Sequence, residues 1–369
     1  MKKFEISKNR RVKITPYTSR LESYGVGGYT VYNHMLLATH FKSLEDEYFH
    51  LKKDVQLWDV SVQKQIEVSG SDSYKLVQLM TCRDLSGAKV LKCYYVPLID
   101  GNGNMINDPL VLKVEDMKWR ICIADSDVLL YAKGIADSMK LNVKIHETKI
   151  STLAVQGPKS LDVMKKVFGD EIGKLKFFNF NYFKFEDIDF MISKSGFSKQ
   201  GGYEIYVENS KSGLKLYDYI IKVGNKFNLK PGCPNVIERI EGALLSYGND
   251  MDNNDNPFEC GLDKYVNLES NIEFLGKKAL QKVKLEGIKR KLMGVKIKEK
   301  NINLTKEIKL FDDNNKTIGY LSSAVYSPKF KMIVGIAMIN RDYLNDSQNF
   351  KIDINNKVVS GSVCDLPMN

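Results

Sequence analysis

The residue types that most often carry covalent or metal chemistry are few in this chain and far apart. Six cysteines and four histidines are spread along 369 residues. No two cysteines form a CxxC pair, so the spacing typical of a zinc or thiol-redox motif is missing. Because the histidines are scattered as well, we expect no metal site and no metal or redox cofactor.

Sequence motifs for nucleophilic catalysis and phosphate binding are also missing. The chain contains no GxSxG, HExxH or GxxxxGK[ST] sequence. Gly101-Asn102-Gly103 begins like a dinucleotide-binding loop, but no third glycine follows at the required spacing. We therefore interpret this stretch as a tight turn between two strands.

The charge and hydropathy of the chain exclude several classes of protein. The net charge is +10 and the pI is about 9.0, but the basic residues do not cluster, so we expect no nucleic-acid partner. Attraction to a polyanionic small molecule is the alternative interpretation of this charge. No stretch approaches the ~18 apolar residues of a membrane span. Since residues 1–5 also lack the apolar run of a secretory signal, we expect a cytoplasmic protein without a membrane partner.

The elements that must position any functional residue change in type along the chain, whose length corresponds to about two or three domains. Residues 36–55 are predicted to be helical. Residues 60–125 are rich in strands and contain a hairpin that turns at 100–104. A helix is predicted over 236–247, and short alternating strands follow over 292–363. The pattern predicts an α+β fold with a small barrel or sandwich at the C-terminal end.

A series of short motifs runs through nearly the whole chain in one order. In this series, Tyr95 is followed by Gly103 and then by Asn107-Asp108, and Ala154-Val155-Gln156-Gly157-Pro158 comes next. The other members are Trp58–Ser61, Ser195–Ile205, Arg239–Gly248, Pro257–Glu259, Phe274–Lys277 and Gly319–Ser323. Each motif is weak alone, but together they resemble the aminomethyltransferase family, which comprises the T-protein of the glycine cleavage system and its folate-using relatives.

The resemblance implies a fold and a co-substrate. The fold is a three-domain clover leaf around a central folate channel, with residues 1–282 forming a bipartite folate-binding region of two interleaved α+β domains. Residues 283–369 form the C-terminal β-barrel. The resemblance also implies that tetrahydrofolate accepts a one-carbon unit.

Departures from the family motifs indicate the substrate. Val62-Gln63 replaces the histidine of FDVSHM, Asn107 replaces the first aspartate of the DD pair, and Asn235 replaces the arginine of ARDxLR. These losses argue against a lipoyl-bound aminomethyl substrate and a lipoyl carrier protein as partner. The stretch 198–206, SKQGGYEIY, resembles the branch of the family that demethylates dimethylsulfoniopropionate. This implies a methyltransferase that forms methylthiopropionate and 5-methyltetrahydrofolate.

The resemblance also assigns the site residues. Asp108 matches the second aspartate of the family's DD pair, thirteen residues after Tyr95 in both patterns. It is the expected catalytic residue, which binds folate near N5 and helps to take up its proton. Tyr95 and Glu204 are expected to bind folate as well. Tyr95, Phe197 and Tyr206 are expected to hold the sulfonium on their aromatic faces.

The substrate carboxylate requires a basic group or a backbone N–H donor, and Lys199 and Arg20 are the residues considered for it. Two other functions stay open. One is a true glycine cleavage aminomethyltransferase, and the other is a non-catalytic folate-binding protein. The cysteine motif KGCYxGQE of the non-catalytic relatives is not matched around Cys260, which favours an enzyme.

Overall fold

The structure, a computed structural model, describes residue 6 and residues 9–345, 347–354 and 356–368. In chain order its strands are β1 (Gly28–Tyr32), β2 (Met35–His40), β3 (Val55–Asp59), β4 (Gln65–Ser69), β5 (Lys92–Tyr95), β6 (Leu98–Ile99), β7 (Met105–Asn107), β8 (Leu110–Glu115), β9 (Lys118–Cys122), β10 (Lys144–Glu147), β11 (Ser151–Gln156), β12 (Phe180–Phe185), β13 (Ile188–Ser193), β14 (Gly202–Val207), β15 (Leu229–Gly232), β16 (Arg290–Ile297), β17 (Ile308–Phe311), β18 (Thr317–Ser327), β19 (Met332–Asn340), β20 (Asn349–Ile354) and β21 (Lys357–Cys364).

Helices cover the sheets and join the two parts of the fold. The α-helices are α1 (Thr18–Ser23), α2 (Leu44–Lys53), α3 (Ser73–Met80), α4 (Val128–Ser138), α5 (Ser160–Phe168), α6 (Ser210–Gly224), α7 (Val236–Glu241) and α8 (Lys277–Glu286). Short 3-10 helices lie at Asp170–Lys174, Asn225–Phe227, Asp263–Tyr265 and Arg341–Tyr343. In the described part of the chain, no helix is long and apolar enough to cross a membrane.

Two sheets form the N-terminal part of the molecule. A five-stranded sheet has the order β10-β4-β9-β8-β5, and its apolar face packs against α3 and α4. A six-stranded sheet has the order β12-β13-β14-β11-β3-β15, and one of its faces packs against α5 and α6. Each helix buries an apolar stripe on its sheet, which explains why the opposite faces of the two sheets remain for other contacts.

Those remaining faces pack against each other in a smaller apolar layer. The layer takes Cys93, Leu112 and Cys122 from the five-stranded sheet, and Met191 and Tyr206 from the six-stranded sheet. The sheet edges β5 and β12 are also joined by backbone hydrogen bonds at Cys93 N–H to Phe178 O and at Phe180 N–H to Leu91 O. The region between the sheets is therefore enclosed along this edge.

A closed barrel with the strand order β16-β19-β18-β17-β20-β21 forms the C-terminal part. Its interior is filled by a separate apolar cluster that includes Val295, Leu310 and Ile352. The outside of β18 and β19 packs against α7. The predicted α+β class and the predicted C-terminal β-barrel are confirmed. The domain boundary between 282 and 283 stays a prediction, and α8 spans it.

Candidate active site

Asp108 and Tyr95 meet where two strands end. Tyr95 is the last residue of β5, and Asp108 follows β7 directly and precedes Pro109. The Tyr95 hydroxyl donates a hydrogen bond to Oδ2 of Asp108 over 2.9 Å. The two residues to which the sequence assigns contact with folate near its reacting atoms therefore touch each other.

The surroundings of Asp108 oppose its ionisation. Burial raises the pKa of the Asp108 carboxyl group to about 7, and the negative charge of Asp250 acts in the same direction. The Tyr95 hydroxyl and the backbone N–H groups of Asp108 and Tyr247 partly offset this rise. Because its pKa lies near neutrality, this carboxyl group is suited to accept a proton and release it again near pH 7.

Tyrosines from distant parts of the chain interact with this carboxyl group or with Tyr95. Burial and then the charge of Asp108 raise the pKa of Tyr32, which comes from β1. Burial and nearby carboxylates, Asp108 among them, raise the pKa of Tyr247 to about 12. The ring of Tyr265 packs edge-on against Tyr95 with 5.2 Å between the ring centroids. Several aromatic groups therefore lie close to the carboxylate, and aromatic faces attract organic cations.

Glu204 lies in the middle of the six-stranded sheet, on the face directed toward the five-stranded sheet. It pairs in register with Ser193 on β13 and with Ala154 on β11. Its neighbours Tyr203 and Ile205 point the other way, into the core beneath α5 and α6. Because side chains alternate along a strand, Glu204 and Tyr206 share the face between the sheets.

Only hydroxyl groups hold the Glu204 carboxylate in the described part of the chain. Oε2 accepts hydrogen bonds from Ser195 Oγ at 2.5 Å and from the Tyr206 hydroxyl at 3.3 Å. Burial raises the pKa of Glu204, and these hydroxyls together with Ser193 oppose the rise. A buried carboxylate without a basic partner is suited to adjacent N–H donors, such as those on the aminopyrimidine edge of a pterin.

Two residues of β5 each interact with one of the two carboxyl groups, Cys93 with Glu204 and Tyr95 with Asp108. Cys93 and Tyr95 are two residues apart, so their side chains share one face of the strand about 7 Å apart. Burial raises the pKa of the Cys93 thiol most strongly, and the charges of Cys122 and Glu204 raise it further. Since Tyr95 binds Asp108, the two carboxyl groups belong to the same region of the molecule.

The remaining predicted residues lie at different places. Tyr206 is at the Glu204 end, where its hydroxyl lies 3.0 Å from Ser193 Oγ. Phe197 is half-buried in the connection between β13 and β14. Arg20 forms a surface ion pair with Asp218 at 2.8 Å, and Lys199 is exposed. The assigned roles of Asp108, Tyr95, Glu204, Phe197 and Tyr206 stay predictions.

The structure adds Arg83, which sequence reasoning missed. Its guanidinium Nη1 donates to the backbone oxygen of Tyr95 over 2.7 Å, and its Cζ lies 5.1 Å from the centroid of the Tyr265 ring. Burial lowers the pKa of Arg83. Within the described ranges, no carboxylate forms an ion pair with it. Nothing in its local sequence distinguishes Arg83, because its relation to Tyr265 depends on contacts far along the chain.

Asn107, which replaces the first aspartate of the family's DD pair, pairs with the segment that follows β9. The Asn107 side chain donates to the backbone oxygen of Ala124 and to Ser126 Oγ, and it accepts from the Ala124 N–H. Asn107 is buried, so this pairing satisfies its amide. The replacement at Asn107 therefore serves a structural contact, and Asp108 is left as the acidic member of the motif.

The described residues are otherwise poor in groups for metal binding or nucleophilic chemistry. No group of three or more His, Cys, Asp or Glu there is arranged to hold a metal ion. Burial raises the pKa of the Cys93 and Cys122 thiols. Thiols with raised pKa values are poor nucleophiles near neutral pH, since the thiolate is the reactive form.

Comparisons with known proteins cover both parts of the chain. Residues 17–270 match the GCVT N-terminal domain family, and residues 290–368 match the glycine cleavage T-protein C-terminal barrel domain family. The dimethylsulfoniopropionate demethylase DmdA of Ruegeria pomeroyi is 40% identical over 91% of this chain and 91% of its own. An aminomethyltransferase of Thermosipho melanesiensis is 29% identical over 89% of each chain.

A solved structure shows the same fold. The glycine cleavage system aminomethyltransferase T from Bartonella henselae aligns with a TM-score of 0.86 and 20% identity, covering 96% of this chain and 97% of that chain. The predicted aminomethyltransferase-like architecture is therefore confirmed. With both domain families matched in order along the sequence, this chain belongs to the aminomethyltransferase (glycine cleavage T-protein) family.

Proposed function

We propose that this enzyme transfers a methyl group from dimethylsulfoniopropionate to tetrahydrofolate, which yields methylthiopropionate and 5-methyltetrahydrofolate. Membership of a folate-using family supports tetrahydrofolate as the acceptor. The similarity to the demethylase of Ruegeria pomeroyi, at 40% identity against 29% for the aminomethyltransferase of Thermosipho melanesiensis, supports the sulfonium donor. No lipoyl carrier protein takes part in this reaction.

The geometry of Asp108 is the observation that carries the proposal. A carboxyl group with a pKa of about 7, held by Tyr95 and close to other tyrosines, combines a proton acceptor with aromatic faces. A sulfonium methyl needs no activation, because its leaving group is a neutral thioether. The site must align the donor with the acceptor, exclude water and remove one proton.

Each part of the site has a role in this scheme. Bound tetrahydrofolate supplies the N5 lone pair, which forms the new N–CH3 bond as the S–CH3 bond breaks and leaves its electron pair on sulfur. Asp108 takes the proton that N5 loses, and Tyr95 orients the Asp108 carboxylate. Glu204 binds the N–H donors of the pterin edge. Aromatic faces hold the sulfonium without the strong ground-state stabilisation that a direct carboxylate contact would add.

Arg83 supplies the positive charge that the carboxylate end of this substrate needs. Its guanidinium contacts Tyr265, whose ring packs edge-on against Tyr95, so Arg83 lies one aromatic ring away from the Tyr95–Asp108 pair. Arginine presents N–H donors in a fork that matches a carboxylate. Neither Arg20, which pairs with Asp218, nor exposed Lys199 has a comparable contact with these tyrosines.

A glycine cleavage aminomethyltransferase is the second candidate, since relatives at 29–30% identity carry that name. The missing histidine at Val62-Gln63 and the amide at Asn107 weigh against it. The two functions differ in their products. A lipoyl-bound aminomethyl group would release ammonia, whereas a sulfonium would release a thioether.

The test offers both donors to the purified enzyme with tetrahydrofolate. We expect 5-methyltetrahydrofolate and methylthiopropionate from dimethylsulfoniopropionate, and no ammonia from an aminomethylated lipoyl carrier. Ammonia release together with an inert sulfonium would assign the enzyme to the second candidate. Asp108→Asn protein serves as the control for uncatalysed methyl transfer.

A further inference from the structure

A buried ion pair ties α7 to the turn that follows it. Arg239 Nη1 lies 2.8 Å from Oδ2 of Asp250, and the backbone N–H of Ser246 donates to the same oxygen over 2.9 Å. The Asp250 side chain is fully buried and that of Arg239 is 11% exposed. Since breaking a buried pair leaves one charge without a partner, this contact holds the 246–251 turn firmly in place.

The barrel reaches the same ion pair through Ser323. Ser323 Oγ accepts from Arg239 Nη2 at 2.9 Å and donates to Oδ1 of Asp250 at 2.5 Å. The pairing of β18 with β19 shifts register between Leu321 and Ser323. A bulge of this kind redirects side chains at functional positions. At this bulge the Ser323 hydroxyl points away from the barrel interior and donates a hydrogen bond to Asp250.

The 246–251 turn, which Asp250 holds in place, also interacts with Asp108. The Tyr247 hydroxyl lies 3.5 Å from the backbone oxygen of Met105 on β7, three residues before Asp108, and the Tyr247 N–H acts on the carboxyl group by lowering the pKa of Asp108. Tyr247 also forms a bridge with Met251, which closes the turn. A movement of this turn would therefore displace a hydrogen-bond donor from Asp108.

We propose that Ser323 and Asp250 are positioning residues, through which the C-terminal barrel fixes the Tyr247 N–H against Asp108. This inference rests on the proposed function in one respect, because it takes Asp108 to be the proton acceptor. It gives the barrel a part in the reaction, through contacts that reach Asp108 by way of the 246–251 turn.

The charges around Asp108 determine the signs of the expected effects. The groups that act on it are the Tyr95 hydroxyl, the Tyr247 N–H and Asp250, and its charge is felt in turn by Tyr32 and Cys260. Asparagine at 250 can still accept from Ser246 N–H and donate to Ser323 Oγ, so Asp250→Asn keeps the turn in place while it removes a negative charge, and the Asp108 carboxyl group should ionise at lower pH. Ser323→Ala loosens the turn and withdraws the Tyr247 N–H, so Asp108 should ionise at higher pH.

The barrel contains a matched control. Ser327 lies on the same strand as Ser323, is buried, and its hydroxyl donates to Glu241 Oε1 on α7 over 2.6 Å. Ser327→Ala thus removes an equivalent contact between β18 and α7 without touching Asp250. Ser323→Thr keeps the hydroxyl and serves as the rescue variant.

The experiment measures the ionisation of Asp108 in the protein without substrate. Carboxyl ¹³C chemical shifts are followed across the pH range, and the Asp108 signal is assigned by its loss in Asp108→Asn. We expect opposite shifts of the midpoint, about one pH unit downward in Asp250→Asn and upward in Ser323→Ala, with Ser327→Ala and Ser323→Thr unchanged.

Turnover is measured on the same proteins, with roughly tenfold loss expected in Ser323→Ala and near-normal rates in Ser323→Thr. Equal midpoints in wild type, Asp250→Asn and Ser323→Ala would overturn the inference. If Asp250→Asn does not fold, the comparison of Ser323→Ala with Ser327→Ala decides. Shifted midpoints without any demethylation would refute the proposed function and leave this inference standing.

Discussion

The Tyr95 hydroxyl lies 2.9 Å from Oδ2 of Asp108, in surroundings where burial and the charge of Asp250 favour the protonated acid. The hydrogen bond stabilises the carboxylate, and burial disfavours it more strongly. The result is a carboxyl group with a pKa of about 7, poised between its two forms.

Replacing Asp108 by Asn keeps its size and one acceptor for Tyr95 but removes the charge that receives the N5 proton. Turnover should fall by roughly 10²–10⁴. Substrate affinity should change little, because aromatic faces hold the sulfonium. Single-turnover rates and equilibrium binding, measured separately, check this. Asp252→Asn, an exposed change in the adjacent 246–255 segment, is the control. A large loss of sulfonium affinity in Asp108→Asn would mean that the carboxylate contacts the cation directly.

The raised pKa of Asp108 also affects stability. The folded protein holds a proton on Asp108 up to about pH 7, whereas the unfolded chain loses it near its ordinary value of 3.8. Its contribution to the free energy of unfolding therefore falls as pH rises from about 4 to 7. Asp108→Asn should raise the melting temperature at about pH 8, and the gain should shrink toward about pH 4. Thermal melts of both proteins across this range measure it, and a pH-independent difference would contradict the prediction.

Glu204→Ala should weaken folate binding more than it slows the bound complex. Removal of a buried charged acceptor should cost roughly 1.5–3 kcal/mol of folate affinity. Calorimetric titration with tetrahydrofolate measures this, and Glu208→Ala, at an exposed position just after the same strand, is the matched control. Unchanged affinity in Glu204→Ala would show that the carboxylate binds something other than the pterin edge.

Arg83→Gln should change substrate preference. Without the guanidinium, kcat/KM for dimethylsulfoniopropionate should fall by roughly tenfold or more. The rate with trimethylsulfonium, which has no carboxylate, should stay near its wild-type value. Lys264 also lies over the Tyr265 ring, at 4.9 Å, so Lys264→Gln is the control for a lost cation–π contact. An equal loss on both substrates would indicate that Arg83 only supports the Tyr95 backbone.

The fold was predictable where the sequence pattern is local. The alternating residues after 292 correspond to the six barrel strands, and the turn at 100–104 connects β6 with β7. The helix predicted over 36–55 was wrong in its first part. Met35–His40 pairs with β1 as a strand, and α2 begins only after Ser43, whose hydroxyl caps it. Tertiary pairing outweighed local helix propensity there.

The helix predicted over 236–247 also ends early, at Glu241. Ala243 adopts a left-handed conformation with φ of 50°, which an alanine takes only where contacts compensate for the strain. The turn that follows carries Tyr247 and Asp250 toward Asp108. Local sequence gives no sign of this turn, because the ion pair between Arg239 and Asp250 that holds it forms only in the folded chain.

The site was predictable in its carboxylates and less so in its surroundings. Asp108, Tyr95 and Glu204 stand in motifs whose order along the chain is readable. Tyr32 and Arg83 come from segments that match no motif, and tertiary contacts alone bring them near Tyr95 and Asp108.

Direct methyl transfer is tested most simply with a sulfonium whose two S-methyl groups are fully deuterated. We predict that the enzyme with tetrahydrofolate forms 5-methyltetrahydrofolate that keeps all three deuterium atoms, together with one equivalent of methylthiopropionate, as read by mass spectrometry. A methyl group that has lost deuterium would contradict direct transfer. The absence of any labelled folate, with ammonia formed from an aminomethylated lipoyl carrier, would contradict the account as a whole.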